Sequence, residues 1–197
     1  MNFKKYRSRF LLVFATLTLL FSSVLLTSCQ GKKIKNTVFS VDDLAGKTIG
    51  VQLGTTGDTL VSDYETDGSG TTVSRYNKGS DAIQALKQGK ADAVVIDEQP
   101  ALAFVKANPD LTILEEEFAN EDYAICVAKG NSLTAKLNEA IEVLMADGTI
   151  QKLIDDYVGD NATFSGYKSP DGISRTNGTL VMATNAYFKP YEYYEGG

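Results

Sequence analysis

Histidine is absent from this chain of 197 residues. That removes Ser-His-Asp and Cys-His nucleophiles, imidazole general bases and nearly all zinc hydrolase sites. The two cysteines, Cys29 and Cys126, cannot build a disulfide framework and form no Cys-x-x-Cys cluster. Basic residues are outnumbered, 19 against 25 acids, and the net charge of −6 argues against a nucleic-acid-binding surface. What remains is a globular composition, 43% hydrophobic and 22% charged. Neither a catalytic residue nor a metal site is expected, and no cofactor is implied.

The first segment is an address and not part of a fold. Lys4, Lys5, Arg7 and Arg9 precede an uncharged apolar stretch from Phe10 to Leu26. A basic start followed by a short apolar core is the pattern of an export signal. The stretch is also at the short end for a membrane span, so an uncleaved signal anchor is the alternative. Leu26-Thr27-Ser28-Cys29 follows, and it resembles the bacterial lipobox, in which cleavage falls before a cysteine that is then acylated. Residues 1–28 are therefore expected to be a lipoprotein signal peptide, with Cys29 the lipidated residue and 29–40 a polar tether. The product would be extracytoplasmic, lipid-anchored to the outer face of a bacterial membrane.

From Val41 the pattern alternates. Thr48 to Leu53, Thr71 to Tyr76 and Ala91 to Asp97 are short β-rich runs, each followed by a helical segment. The helices are expected over Thr59 to Tyr64, from a cap at Ser80 through Ala82, Ile83 and Leu86, and over Gln99 to Lys106. Leu111 to Leu114 and Tyr123 to Val127 are expected as further strands, and Leu133 to Met145 and Thr149 to Tyr157 as amphipathic helices. Alternation of this kind implies an α/β fold with a parallel sheet and helices on its faces. Cys126, inside the apolar run, is expected as a small core hydrophobe. Gly159 to Gly178 is rich in Gly, Asn, Ser and Asp, as a linker would be. Thr179 to Thr184 then opens another strand.

In an open α/β sheet, ligands bind at the carboxyl ends of the strands. Gln52-Leu53-Gly54-Thr55-Thr56-Gly57-Asp58 lies at one such end. Its glycines allow a tight turn, and its amides and hydroxyls could cradle an anion. The spacing is not that of a nucleotide P-loop, and an ordinary threonine-capped helix is the alternative. Asp97 ends the apolar strand Ala93-Val94-Val95-Ile96, where a carboxylate either seeks a cation or caps the helix at Gln99. Together the two features suit the opposite charges of an α-amino acid. Glu115, Glu116 and Glu117 form a solvated acidic edge.

Val41 to Asp58 resembles the second-lobe opening of the polar amino-acid-binding proteins of ABC transporters. Gly89 to Asp97 resembles the same family, as does Tyr123 to Gly130. Asp147-Gly148-Thr149-Ile150 is similar to the family's end of chain. The resemblance implies a type II periplasmic-binding-protein-like fold, with one complete parallel-sheet lobe and an incomplete second one. It implies the second lobe at 41–121, a return strand and C-terminal helices of the first lobe at 122–158, and a linker at 159–177. Residues 178–197 would then be the first strand and aromatic loop of the first lobe. The family's lobe order is thus permuted here, or the chain truncated, and the first-lobe core with its carboxylate-clamping arginine is missing.

By position, Gly54, Thr55 and Thr56 would hold the ligand carboxylate and Asp97 its ammonium, with Gln52 near the side-chain pocket. Asn185, Tyr187 and Phe188 would supply the loop whose aromatic stacks over the ligand, although Tyr187 to Tyr194 could equally be a hydrophobic surface patch. The implied partners are a small-molecule amino acid and an ABC transporter permease, with the protein acting as a monomer. Two alternatives stay open. One is a remnant whose second lobe folds without binding. The other is a small-carboxylate lyase of the same fold, for which Asp97 or Glu98 would have to serve as acid or base.

Overall fold

A computed structural model describes residues 35–159 and 161–194, so the lipobox and Cys29 lie outside the described residues. Three parallel strands form the sheet: β1 (Thr48–Gln52), β2 (Thr72–Tyr76) and β3 (Ala93–Val95), in the order β2-β1-β3. Ile49 lies opposite Val73 on one side and Ala93 on the other. Because β1 is central, four of its five residues, Ile49 to Gln52, are buried. A strand covered on both faces needs a continuous apolar run, which Ile49-Gly50-Val51 supplies.

Helices follow each strand, as a parallel sheet requires. These are α1 (Thr56–Ser62), α2 (Gly79–Lys87) and α3 (Glu98–Ala107). One core cluster gathers Val38, Leu44, Ile49, Val51, Val61 and Val73. On α2, Ala82, Ile83 and Ala85 are buried, the stripe expected of a helix seated on a sheet. Gly79 begins α2 and Lys78 takes the cap position, so Ser80 is already inside the helix and does not cap it. Gly79 fits there because a Cβ would stand 2.7 Å from the Ile96 side chain.

An ionic cluster closes the edge beside β2. Arg75 Nε donates to Asp58 Oδ1 at 2.7 Å, and its Nη2 donates to Ser62 Oγ at 2.8 Å and Glu65 Oε2 at 2.9 Å. The Gly54 amide and then Arg75 hold the Asp58 carboxyl below the usual aspartate range. Glu65 is lowered by Arg75 and the Val73 amide. Carboxyls lowered by folding stabilise the protein above their unfolded pKa of about 4, and that contribution is lost as pH falls through the folded values. Arg75→Met is therefore expected to cost about 1–2 kcal/mol at pH 7, discounted for the partly exposed guanidinium. Urea unfolding at pH 7 and pH 3 checks this, since the gap between variant and wild type should narrow in acid.

Beyond α3 the expected strands do not form. Leu111 to Leu114 is irregular, yet Leu114 and Phe118 pack against the core, with Phe118 6.4 Å from the Tyr64 ring. Glu116 is more than a solvated edge, because its carboxylate accepts from the Val41 amide at 3.2 Å. Tyr123 to Val127 is also unpaired, and Ile125 and Cys126 are exposed. Cys126 is thus no core residue. A strand is held by a neighbour's backbone, and among the described residues no strand pairs with this segment.

The same holds for Thr179 to Thr184, where Leu180, Val181 and Met182 are exposed. Helices α4 (Leu133–Ala146) and α5 (Thr149–Tyr157) form close to the expected bounds, separated by Gly148, but neither buries a residue. The chain's last described stretch is a small antiparallel hairpin, β4 (Tyr187–Phe188) against β5 (Glu192–Tyr193).

Candidate functional site

The carboxyl ends of β1 and β3 lie side by side, and the two turns that leave them carry the sequence-predicted residues. After Gln52 the chain reverses through Gly54, whose φ of 78° favours glycine. Thr55 caps α1: its hydroxyl donates to the Gln52 carbonyl at 2.9 Å and accepts from the Asp58 amide at 3.3 Å. The Gly54 amide donates to Asp58 Oδ2 at 2.9 Å, so an internal carboxylate holds one donor of the expected cradle. Gln52 is 2% exposed, and its Oε1 accepts from the Gly79 amide at 3.1 Å, which ties the end of β1 to the start of α2. Of the four residues predicted in this turn, Thr56 is the one whose side chain is left exposed.

Gly57 sets the distance between the two turns. A Cβ there would stand 3.2 Å from both the side chain and the carbonyl of Val95, so glycine lets α1 lie directly on the end of β3. Thr56 and Asp97 are thereby brought to one place. Asp97 occupies the cap position of α3 but makes no side-chain capping bond. Its Oδ2 accepts instead from the Tyr123 hydroxyl.

Sequence reasoning missed two residues here. Glu121 sets a second carboxyl against Asp97 and the Thr56 hydroxyl. Thr56 pulls that carboxyl down, but desolvation and the facing Asp97 together leave it above the usual glutamate range. Tyr123 is the other: the residue is exposed overall, but partial desolvation of its hydroxyl, and then the Asp97 carboxylate, raise its phenol above the ordinary tyrosine value. The signal for both was their place, at the point where the chain leaves the β-α-β unit and passes the strand ends.

Aromatic rings complete the arrangement. The Tyr191 ring lies 5.0 Å from that of Tyr123, and Phe188 stacks on Tyr191 at 6.1 Å. The hairpin therefore reaches Asp97 through Tyr191 and Tyr123. Tyr187 is exposed and carries the Lys78 ammonium 3.9 Å above its ring. Asn185 makes a local turn, its Oδ1 accepting from the Tyr187 amide at 3.1 Å. The structure thus sets Thr56 and Asp97 on neighbouring turns, while Phe188 reaches Asp97 only by way of Tyr191 and Tyr123. It commits Gln52, Gly54 and Thr55 to internal bonds, and leaves Asn185 and Tyr187 in the hairpin. Carboxylates walled by phenol rings can hold an organic cation.

No protein-family model matches the chain. Among curated proteins it is similar to the L-cystine-binding protein of Escherichia coli (strain K12), 33% identical over 135 residues, which are 66% of this chain and 48% of that protein. It is also similar to the ABC transporter arginine-binding protein 1 of the same strain, 34% identical over 129 residues, 62% of this chain and 52% of the relative. An ancestral arginine-binding protein bound to arginine superposes with a TM-score of 0.57 at 42% identity, covering 64% of this chain and 56% of the other. A mutant of ArgBP from T. maritima gives 0.55 at 41%, covering 63% and 53%.

The homologues of this chain are amino-acid-binding proteins of ABC transporters, and they are binding proteins, not enzymes. Over the matched part its α/β fold with a parallel sheet is the type II periplasmic-binding-protein fold. The chain spans about half the length of the curated relatives it matches.

Proposed function

We propose that this chain captures an α-amino acid outside the cytoplasm and serves an ABC transporter permease, anchored to the membrane through a lipid on Cys29. The observation that carries the reading is Asp97. Its carboxylate stands at a strand end and accepts from the Tyr123 hydroxyl, whose ring lies 5.0 Å from that of Tyr191, and the exposed Thr56 opens the helix at the neighbouring strand end. An ammonium suits the carboxylate, and the ligand's own carboxylate suits the Thr56 hydroxyl. Relatives that bind arginine and cystine support the same class of ligand.

Calorimetric titration of the full chain with the common L-amino acids tests this. Saturable binding of at least one is expected, and heats of dilution for all of them would overturn it. A second reading is a remnant whose α/β unit folds but holds no amino acid. The unpaired Tyr123 to Val127 segment and the exposed Leu180, Val181 and Met182 favour it, because neither apolar stretch joins a sheet among the described residues. The same titration separates the two.

A further inference from the structure

We propose that the aromatic hairpin is a strap latched across the strand ends, held by Lys78 on one flank and by Tyr123 and Asp97 on the other, and that it competes with an incoming amino acid for the Asp97 carboxylate. The competition rests on the amino-acid reading; the latch does not.

The hairpin has little to hold it by itself. β4 and β5 are two residues each, paired Tyr187 to Tyr193 and Phe188 to Glu192, and a ribbon that short is marginal alone. Its rings pack on one another, Tyr187 6.3 Å from Tyr194 and Phe188 6.1 Å from Tyr191. The segment before it, residues 163–185, is exposed throughout. What fixes its place is contact with the rest of the chain at two points. Lys78 sets its ammonium 3.9 Å over the Tyr187 ring. The Tyr191 ring lies 5.0 Å from that of Tyr123, whose hydroxyl donates to Asp97 Oδ2. Lys78 leads from β2 into α2 and Asp97 from β3 into α3, so the anchors stand on either side of the central β1.

Each anchor has a chemical reason. The Gly79 amide donates to Gln52 Oε1 at 3.1 Å, which fixes the backbone beside Lys78. Among the described residues no carboxylate pairs with Lys78, so the ring face is what its charge meets. At the other anchor, Asp97 serves the strap and is also the carboxylate that a ligand ammonium needs. A full positive charge is a stronger partner for it than a phenol. Ligand binding therefore frees Tyr123, and with it the Tyr191 side of the hairpin. Coupling of this kind is reciprocal, so whatever loosens the strap tightens binding.

Limited chymotrypsin digestion of the full chain, read by mass spectrometry, tests the latch. Cleavage after Tyr187 and Tyr191 reports the open hairpin, and cleavage after the exposed Tyr167 is the internal reference. Without ligand, Lys78→Gln is expected to speed hairpin cleavage about two- to fivefold. Tyr123→Phe should speed it about tenfold. Lys78→Arg keeps the charge and should stay near the wild-type rate. Calorimetry with L-arginine, L-glutamine and L-cystine then tests the competition. A bound amino acid should speed hairpin cleavage in wild type, and Lys78→Gln and Tyr123→Phe should bind it more tightly. Hairpin cleavage unchanged in both variants would overturn the strap and leave the amino-acid reading standing. Faster cleavage in the variants but slower cleavage under ligand would overturn the competition. A wild type that binds none of the three overturns the amino-acid reading and the competition with it, while the ligand-free rates still decide the latch. Circular dichroism of each variant guards against a folding defect.

Discussion

Asp97→Ala is expected to weaken amino-acid binding by about a hundredfold or more, while the chain stays folded. A ligand ammonium that loses its carboxylate is left unpaired in a partly desolvated place, and breaking such a pair costs about 3–5 kcal/mol when fully buried. Asp97 is half-buried, so the lower end of that range applies. Its backbone still starts α3, because the carboxylate makes no capping bond there and the Ala101 amide still finds the Asp97 carbonyl at 3.0 Å. The Tyr123 hydroxyl loses the Asp97 carboxylate but keeps the Tyr191 hydroxyl beside it. Calorimetry of wild type and variant, beside their thermal unfolding curves, separates binding from stability. Unchanged affinity would move the ammonium site elsewhere.

Ile49→Ala carries the largest expected effect on stability. Ile49 is 0% exposed and stands in the central strand, between Val73 and Ala93. Truncation there removes apolar contact and leaves a cavity that paired backbone on both sides cannot collapse to fill. The cost is about 3–4 kcal/mol. That is a large part of the roughly 5–15 kcal/mol that holds an ordinary domain together. Denaturant unfolding should show a lower midpoint at an unchanged slope. A loss below about 1 kcal/mol would mean that the sheet is not packed as described.

The alternation of β-rich and helical runs from Thr48 to Lys106 was legible in the sequence because each element there is stabilised by near neighbours in the chain. β1 borders both other strands, α1 and α2 lie on them, and α3 packs against α2. Tyr123 to Val127 and Thr179 to Thr184 have the composition of strands, but composition cannot supply the adjacent backbone that a ladder requires. Cys126 was misread for the same reason, since an apolar run buries its cysteine only where something covers it.

In the site, Asp97 and Thr56 were visible because strand ends in such sheets are where ligands gather. Thr55 has its own signal, and the capped-helix alternative describes it better than the anion cradle does. Gln52 was placed near a pocket, yet its side chain is consumed by a long-range bond to Gly79, 27 residues on. Glu121 could not be found by pattern, because its meeting with Asp97 depends on the route of an irregular segment.

The Gln52–Gly79 bond has a consequence for how the proposed binding surface can change over generations. It ties the end of β1 to the start of α2, so a new residue at position 52 would leave the Gly79 amide without its acceptor before it altered a preference. Fresh selectivity can be written cheaply only where side chains are not already engaged in holding the scaffold. Such positions lie on the irregular segment around Glu121 and in the aromatic hairpin. The floor is the conservative half of the site, and the parts that arrive over it are where novelty can accumulate.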